Sequence, residues 1–588
     1  MKKKTELQHL YTEEGEKLDQ SSPPWNIYPR PQLKRDSFFP LNGKWSFRAN
    51  GGANEKITVP FPPESLLSGI NRSMGKRAEL YYKKTFTLPE GFVKDRVLLH
   101  FGAVDQTAKI TVNGKSAGEH TAGGYAPFEF DVTEQIRTGE NTIEVYVTDD
   151  ISDKAFPYGK QRFDRGGMWY TPVSGIWQTV WMESVPKSYI RSLRIETTAI
   201  YDEFKDKNAK NILSAPSAFM VSVKVAASEP ADGLLTVSTP EGELNAPLKG
   251  GMAELKIDSP SLWSPENPYL YEFNITMGED RIESYFALRT LDTKVVDGVP
   301  RLCLNGKPYF FHALLDQGYF SDGIFTPATP ECYDRDVLTA KSLGFNTLRK
   351  HIKTEPEHFY YCCDKYGMIV FQDMINNGSY SFIFDTALPT VFMKSFPDTM
   401  LHRDKRTREM AIRSMVDTVN RLYNHPCICY WTIFNEGWGQ FNSSAMYDRL
   451  KAIDSTRFID TASGWFHPSR SDVESLHVYF KAVKLKPSYN PIVLSEFGGY
   501  SCKLPDHSFN LSNTYGYKYF DNTEDLENAL IRLYERDVIP LIEHGLCGAV
   551  MTQLTDVEDE TNCLITYDRR VIKVDKERMT ELAKQLKI

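Results

Sequence analysis

The chain has 588 residues, of which 41% are hydrophobic and 25% are charged, and its formal net charge is −8 at pH 7. This length exceeds what one hydrophobic core supports, so several domains are expected. The net negative charge gives no basic surface for binding nucleic acid or an anionic membrane. The chain contains no apolar run of about 18 residues, so no transmembrane helix is expected.

The cysteines and the first residues indicate a reducing compartment. All nine cysteines lie at or after Cys303, and an odd number confined to one half does not fit a disulfide framework. No CxxC spacing occurs, so neither a metal ion nor a cofactor is expected. Met1 to His9 are basic and polar with no apolar segment behind them, which argues against a secretory signal. We therefore expect a cytoplasmic protein with reduced cysteines.

Residues 1–186 are expected to form a first β domain. Phe128 and Phe130 alternate with acidic residues, a period of two that is typical of half-buried strands. Asn113 and Gly114 separate two such runs and predict a hairpin turn. Several short strands separated by turn residues indicate a jelly roll.

Residues 187–292 form a second predicted β domain. Met220 to Val225 alternates in polarity, and proline and glycine clusters separate this run from the others. About a hundred residues of short strands fit an immunoglobulin-like sandwich, here without a Cys…Trp…Cys pattern.

Residues 293–588 change to alternating strands and helices. Eight strands with intervening helices predict a (β/α)₈ barrel, the TIM barrel fold. The helix between strands five and six is weak, so a short or irregular connection is expected there. The predicted strands are 308–315, 346–352, 368–374, 427–436, 457–463, 474–480, 492–497 and 546–554, and the predicted helices are 331–344, 355–367, 403–422, 443–453, 523–544 and 576–586.

Two glutamates that end apolar strands carry most of the functional signal. Glu436 ends Tyr430–Glu436 on strand four, and Glu496 lies at the end of strand seven. A carboxylate at the end of a buried strand is costly unless it is used or paired. Two of them at one pocket supply the acid and the nucleophile that cut a glycosidic bond. A single strand-end glutamate is more often a salt-bridge partner or helix cap, so the argument rests on the pair.

Other side chains at the carboxyl ends of the predicted strands are candidates for contacts to substrate. Arg349 is expected to keep Glu496 ionised, the alternative being an ion pair at the bottom of the barrel. Asn435 is placed to hydrogen-bond a sugar 2-hydroxyl. The remaining candidates, each with a purely structural alternative, are Asp316, His351, Asp373, Trp465, His477, Tyr479 and Asp556.

With these residues in place, the chain resembles glycoside hydrolase family 2, the β-galactosidase, β-glucuronidase and β-mannosidase family. Further motifs that carry the resemblance are Leu41–Trp45, Gly175–Trp181, Phe286–Arg289, Thr552–Asp556 and Thr566–Arg569.

The resemblance implies a jelly-roll sugar-binding domain, an immunoglobulin-like domain and a catalytic TIM barrel. It also implies a retaining mechanism, with Glu496 as nucleophile and Glu436 as acid/base. Their carboxyl groups are then expected about 5 to 5.5 Å apart. The implied partner is a carbohydrate or glycoside substrate, and family members often form homo-oligomers.

Departures from the family pattern bear on the substrate. The β-glucuronidases carry an Asn-x-Lys-Gly motif, and the matching stretch here is Glu560–Cys563, which has no lysine. The loop 375–400 lacks the Glu-x-His magnesium site of the large β-galactosidases. We therefore expect an exo-acting, β-galactosidase-like enzyme on a neutral sugar. The alternatives are a galactofuranoside, arabinoside, mannoside or glucuronide specificity, or a noncatalytic carbohydrate-binding protein on the same scaffold.

Overall fold

The structure is a computed structural model, and it describes residues 6–19, 21–201, 215–387, 398–464 and 466–588. The chain begins with a short helix, α1 (Glu13–Lys17), whose N-cap is Thr12. Thr12 also donates its hydroxyl to the buried carboxylate of Asp322, 2.6 Å away. Trp25 donates its indole N–H to the carbonyl of Pro327 at 2.8 Å. The N-terminal segment is thus fixed against the C-terminal half of the chain.

The first β domain consists of two main antiparallel sheets that enclose one apolar core. Alternation along the strands sorts the side chains, so Ile143, Val145 and Val147 point inward from β10. The sheets run β3-β2-β4-β10-β7-β8 and β1-β12-β5-β9, with a short β11–β6 pair. The strands are β1 (Phe39–Pro40), β2 (Gly43–Ala49), β3 (Glu55–Val59), β4 (Arg77–Thr87), β5 (Arg96–Phe101), β6 (Val104–Asp105), β7 (Thr107–Val112), β8 (Lys115–His120), β9 (Phe128–Asp131), β10 (Glu140–Asp150), β11 (Gly175–Ile176) and β12 (Val180–Val185).

The predicted hairpin at Asn113-Gly114 is confirmed. Strands β7 and β8 pair antiparallel on either side of these two residues. Both residues have positive φ, 52° and 76°, as a two-residue turn of this hand requires.

The second β domain is a sandwich of a three-stranded and a four-stranded sheet, as an immunoglobulin-like fold requires. The sheets run β13-β14-β17 and β16-β15-β18-β19, and every pairing is antiparallel. The strands are β13 (Ile190–Ile200), β14 (Ala218–Ala227), β15 (Gly233–Thr239), β16 (Gly242–Leu248), β17 (Met252–Asp258), β18 (Tyr271–Met277) and β19 (Asp280–Phe286).

A small antiparallel sheet, β20 (Leu291–Val296), β21 (Val299–Leu304) and β22 (Lys307–Pro308), precedes the barrel. The expected boundary at residues 292 and 293 therefore falls inside β20. The first barrel strand starts at Phe311, three residues later than the sequence indicates. Pro308 instead pairs with Cys303 in the small sheet.

The parallel eight-stranded sheet predicted for the last half of the chain is confirmed. Its order is β27-β26-β25-β24-β23-β32-β29-β28, and β23 pairs with both β24 and β32, which joins the first barrel strand to the last. The barrel strands are β23 (Phe311–Asp316), β24 (Thr347–Lys350), β25 (Ile369–Asp373), β26 (Ile428–Asn435), β27 (Phe458–Ser463), β28 (Glu474–Val478), β29 (Ile492–Gly498) and β32 (Leu546–Thr552), with β30 (Tyr500–Cys502) and β31 (Lys518–Phe520) in a connection.

Helices cover the outside of the barrel. They are α2 (Glu331–Ser342), α3 (Glu357–Tyr366), α4 (Lys405–Leu422), α5 (Ser443–Ile453), α6 (Thr523–Asp537), α7 (Ile539–Ile542) and α8 (Lys576–Ala583). Within the residues described, none of the helices is both long and apolar enough to cross a membrane.

The join between the fifth and sixth barrel strands differs from the others. No backbone ladder is formed between β27 and β28, and residues 466–473 contain no helix. Side chains bridge the gap instead. Ser475 donates to Asp460 at 2.9 Å, and Ser463 Oγ lies 3.1 Å from His477 Nε2.

Asp364 on α3 links the second β domain to the barrel. Its buried carboxylate accepts hydrogen bonds from the Tyr285 hydroxyl at 2.7 Å and the Cys427 amide at 2.8 Å, and it lies 2.7 Å from His425 Nδ1. Its carbonyl accepts from the Trp263 indole at 2.8 Å. One residue therefore holds groups from both domains.

We expect Asp364→Ala to lower the free energy of unfolding by about 3 to 5 kcal/mol, because buried polar groups lose their shared partner. Urea denaturation followed by tryptophan fluorescence measures the change. Asp417→Ala, on an exposed face of α4, is the matched control and is expected to change stability by less than about 0.5 kcal/mol. Equal effects of the two substitutions would contradict the assigned role.

Candidate active site

The two predicted glutamates lie at the carboxyl ends of two buried barrel strands. Every residue of β26 is buried, and Glu436 comes directly after it. Glu436 has a φ of 50°, and its amide donates to the carbonyl of Ser463 at 2.8 Å. A left-handed backbone at a residue other than glycine costs about 1 to 3 kcal/mol and clusters at functional sites. Glu496 lies within β29 and is 5% exposed.

His477 lies between the two carboxylates. Its Nδ1 is 2.9 Å from Glu436 Oε1 and 3.5 Å from Glu496 Oε2. This nitrogen and one oxygen of each glutamate all lie within 4.8 Å of one another. Retaining glycosidases hold their carboxyl groups about 5 to 5.5 Å apart, whereas inverting enzymes need roughly 6.5 to 9.5 Å. The limit of 4.8 Å between one oxygen of each carboxylate is closer to the retaining value.

Arg349 joins four strands of the barrel at this site. Its guanidinium is fully buried and donates to Asp373 Oδ1 at 3.0 Å, Glu496 Oε1 at 3.1 Å and Asn435 Oδ1 at 2.8 Å. It also donates to the carbonyl of Ser495 at 3.0 Å. Because all these partners accept, the fork of N–H groups fixes their positions relative to one another.

Opposing effects act on the ionisation of Glu496. Burial opposes its charged form, but attraction to His477, Arg349 and His351 outweighs burial and lowers its pKa to about 2. Tyr479 supports the charged form by donating its hydroxyl to Oε2 at 2.6 Å. Glu496 is therefore a carboxylate at neutral pH, as its predicted role requires.

The two predicted histidines are held by different partners. His351 Nδ1 lies 2.8 Å from Asp373 Oδ2, and burial lowers the pKa of this imidazole. His477 Nε2 lies 3.1 Å from Ser463 Oγ, which in turn donates to Ser495 Oγ at 3.0 Å. Both rings are thus oriented by side chains behind the pocket.

Aromatic side chains that the sequence analysis did not single out surround the carboxylates. Tyr517 stacks on Tyr479 with ring centroids 3.9 Å apart, and Trp438 stacks on Trp169 at 5.3 Å. Flat apolar rings of this kind suit the faces of sugars. Trp438 has a local signal, because it stands two residues after Glu436. Tyr517 and Trp169 have none, since both come from segments outside the barrel strands.

Eight of the eleven predicted candidates meet in this network, two do not, and one lies outside the described residues. Asp316 accepts from Lys350 Nζ at 2.6 Å, and Asp556 accepts from Lys573 Nζ at 2.7 Å. Within the described part of the chain, neither carboxylate bonds to a member of the network. Trp465 lies outside the described residues. The eight that meet are Arg349, His351, Asp373, Asn435, Glu436, His477, Tyr479 and Glu496.

A segment of the first β domain covers one side of the site. Tyr158 donates its hydroxyl to the carbonyl of Gly378 at 2.9 Å, and Asn377 donates to the carbonyl of Ala155 at 2.7 Å. From this segment Lys160 places its ammonium 5.3 Å from the Trp438 ring centroid and 5.8 Å from that of Tyr170. The first domain thus contributes side chains next to Trp438, which stands two residues after Glu436.

Three family models match the chain in succession. Residues 69–186 match "Glycosyl hydrolases family 2, sugar binding domain", and residues 188–289 match "Glycosyl hydrolases family 2". Residues 301–493 match "Glycosyl hydrolases family 2, TIM barrel domain". The last match includes Glu436 but ends before Glu496, whose assignment therefore rests on the geometry above.

Relatives in sequence carry two different names. A β-galactosidase of Thermoanaerobacter pseudethanolicus is 25% identical over 84% of this chain and 61% of its own length. The human β-glucuronidase is 23% identical over 73% of this chain and 69% of its own length. The chain covers 38% of a Leuconostoc mesenteroides β-galactosidase at 26% identity. It thus spans less than two thirds of both galactosidases.

Solved structures share the architecture. The Bifidobacterium dentium β-glucuronidase in complex with coumarin-3-O-glucuronide has a TM-score of 0.73 at 18% identity, covering 94% of this chain and 98% of that one. The Dictyoglomus thermophilum β-glucuronidase has a TM-score of 0.70 at 19% identity, covering 95% and 98%. At these identities the likeness shows the fold alone.

We expect Arg349→Met to destabilise the protein by about 3 to 5 kcal/mol at pH 7, because Asp373 and Glu496 remain buried without their cation. In the native protein Arg349 lowers the pKa of Asp373, and together with His477 it outweighs burial and brings the pKa of Glu496 to about 2. This contribution is complete above the unfolded values near pH 4 and is lost as the pH falls toward 2. The deficit should therefore narrow below about pH 4.

Denaturant unfolding at pH 7 and at successively lower pH measures the deficit. Arg349→Lys keeps the charge and is the control, with a smaller loss expected at pH 7. A deficit of Arg349→Met that does not change with pH would show that packing, not charge, is responsible.

Proposed function

Because the chain belongs to family 2 of the glycosyl hydrolases, we propose that it is a retaining exo-β-glycosidase that hydrolyses terminal β-glycosides. The observation that carries the proposal is the pair of carboxylates, Glu436 and Glu496, with one oxygen of each within 4.8 Å of the other. A protein that only binds sugar has no need of two such groups. The closeness of Arg349 to only one of them gives the two carboxylates different environments.

The geometry supports a double displacement. Glu496 Oε attacks the anomeric carbon, and the bond from that carbon to the leaving oxygen breaks as Glu436 donates a proton to it. Glu436 then accepts a proton from water, whose oxygen displaces Glu496 from the same carbon. Each step inverts the anomeric centre, so the product retains the β configuration.

The side chains around the pair have distinct proposed roles. Arg349 and Tyr479 hold the Glu496 oxygens, and Tyr479 also lies 3.0 Å from Thr552 Oγ1. Asn435, fixed by Arg349, is placed to bind the sugar 2-hydroxyl, a contact that strengthens in the transition state. His477 bridges the two carboxylates. We propose that Asp316 and Asp556, each paired with a buried lysine, support the pocket walls rather than the sugar.

We propose a neutral, β-galactosidase-like substrate. Glu560, where the β-glucuronidase pattern has its basic motif, is buried and accepts hydrogen bonds from Tyr170 and Asn562. A carboxylate fixed at this place disfavours an anionic sugar through charge repulsion.

The test is a panel of nitrophenyl β-glycosides with substitutions of the two glutamates. Glu496→Gln is expected to lower kcat by more than about 10³-fold, and Glu436→Gln by about 10² to 10⁴-fold on substrates with poor leaving groups. Azide should restore turnover of Glu496→Gly and give the glycosyl azide of inverted configuration. Glu474→Gln, at the opposite end of the neighbouring strand, is the control and should keep full activity. Full activity of Glu496→Gln would remove the assignment.

One observation favours a second candidate, a glycoside that carries an acidic group. Lys160 is 7% exposed, and among the described residues its ammonium forms no ion pair or hydrogen bond. Contacts with the rings of Trp438 and Tyr170 are worth about 0.5 to 2 kcal/mol, less than the cost of removing an ammonium from water. A carboxylate or sulfate of the substrate would compensate this charge.

We expect Lys160→Met to separate the two candidates. If the substrate is acidic, kcat/KM should fall roughly 10 to 100-fold on an acidic glycoside, the value of a charge-assisted hydrogen bond, and change little on a neutral one. Lys154→Met is the matched control, because Lys154 lies over the Tyr158 ring in the same segment. If the wild-type protein prefers the neutral β-galactoside and Lys160→Met leaves that preference unchanged, the acidic candidate is wrong.

A further inference from the structure

Three side chains of different chemistry converge between helices α2 and α3, away from the site described above. They are Asp334 on α2 and His358 and Cys362 on α3. Each offers one potential ligand atom: a carboxylate oxygen, an imidazole nitrogen and a sulfur. These three atoms lie within 4.8 Å of one another. His358 and Cys362 are four residues apart, so they share one face of α3.

One ring nitrogen of His358 is buried without a hydrogen-bond partner among the described residues. This nitrogen, Nε2, is out of contact with solvent. The nearest Asp334 oxygen, Oδ2, is 3.7 Å away, which is too long for a hydrogen bond. Leaving a buried nitrogen unpaired costs about 1 to 3 kcal/mol, so this nitrogen is available to a ligand.

The distances of His358 and Cys362 from Asp334 Oδ2 fit a metal ion. Cys362 Sγ lies 3.5 Å from the same Asp334 oxygen that faces His358. Ligands about 2.0 to 2.3 Å from one tetrahedral ion lie roughly 3.3 to 3.8 Å from each other. Tyr366 donates its hydroxyl to the other Asp334 oxygen at 2.7 Å, and such a contact orients a metal-binding carboxylate.

We propose that Asp334, His358 and Cys362 form a binding site for a divalent zinc-type ion that links α2 to α3. A thiolate, an imidazole and a carboxylate are the donor set that zinc prefers. When the ion binds, the proton of the Cys362 thiol leaves to solvent and the sulfur lone pair forms the bond to the metal. The two negative ligands and the 2+ ion then sum to zero charge.

A cavity beside the site agrees with this role. His358 also lines a cavity of about 320 Å³ with Trp25 and Arg30, which gives an ion a route to the site.

No local sequence motif predicts these ligands, because they come from two helices and lack CxxC spacing. The site is independent of the proposed hydrolysis. Its ligands lie on the outer helices, and none of them contacts Glu436 or Glu496 in the part of the chain described.

The test is a Co²⁺ titration of the full chain, reduced and without an affinity tag, followed by absorption. The wild-type protein should take up one equivalent with a sulfur-to-cobalt charge-transfer band, and Zn²⁺ should displace it. The cluster of Glu436, His477 and Glu496 contains no sulfur, so cobalt bound there gives no such band. Zn²⁺ should also raise the Tm of the wild-type protein.

Substitutions locate the site. Cys362→Ser should abolish the band, and His358→Gln should weaken Co²⁺ binding by at least about tenfold, since even outer-shell changes cost that much. Cys363→Ser is the matched control, because Cys363 is the adjacent buried cysteine and is not part of the cluster. It should keep the band. Absence of a charge-transfer band in the wild-type protein, or its survival in Cys362→Ser, would overturn the proposal. If Cys362→Ser fails to fold, an unchanged affinity of His358→Gln would do the same.

Discussion

The guanidinium of Arg349 is the interaction on which the site depends. Moving an ion of this size into a protein interior costs several kcal/mol, and the cost is recovered only if the partners are well placed. Here Asp373, Asn435 and Glu496 supply acceptors from three strands, and Arg349 itself belongs to a fourth. One buried cation therefore fixes the spacing of these barrel strands at their carboxyl ends and, with His477, favours the charged form of Glu496. If the ends of these strands moved apart, the charge would lose its compensation.

Much of this arrangement can be predicted from the sequence. Apolar runs of strand length that alternate with helical patterns specify the barrel, and a parallel barrel brings the carboxyl ends of its strands to one face. Arg349, Asn435, Glu436 and Glu496 all occur where such runs end, so their convergence follows from the fold class. The predicted helices differ from the observed ones mainly at their ends, and the predicted helix 523–544 is divided into α6 and α7 at Val538.

Other parts of the site depend on partners that are distant in the sequence. Asp316 ends β23 and Asp556 lies four residues after β32, but buried Lys350 and Lys573 occupy their oxygens. Nothing in the local pattern distinguishes a carboxylate that meets a lysine from one that faces a pocket. The contacts of Lys160 and Trp169 require the first β domain to dock on the barrel, which strand periodicity does not describe.

The regular alternation of strand residues also fails next to Glu496, and the reason is geometric. Along β29, Leu494 pairs with Ala549 and Phe497 with Met551, so β29 has one residue more than β32 across this interval. The same extra residue appears against β28, where Leu476 pairs with Leu494 but His477 pairs with Glu496. Ser495 is thus a bulge, and a bulge redirects the side chain that follows it. In a regular strand, Glu496 would point to the same face as Leu494, because alternate residues share a face. The bulge turns it toward His477 instead, while the carbonyl of Ser495 is left to accept from Arg349. A departure of this kind from a local rule is expected mainly at functional sites, where a side chain must point in a direction that the regular strand does not allow.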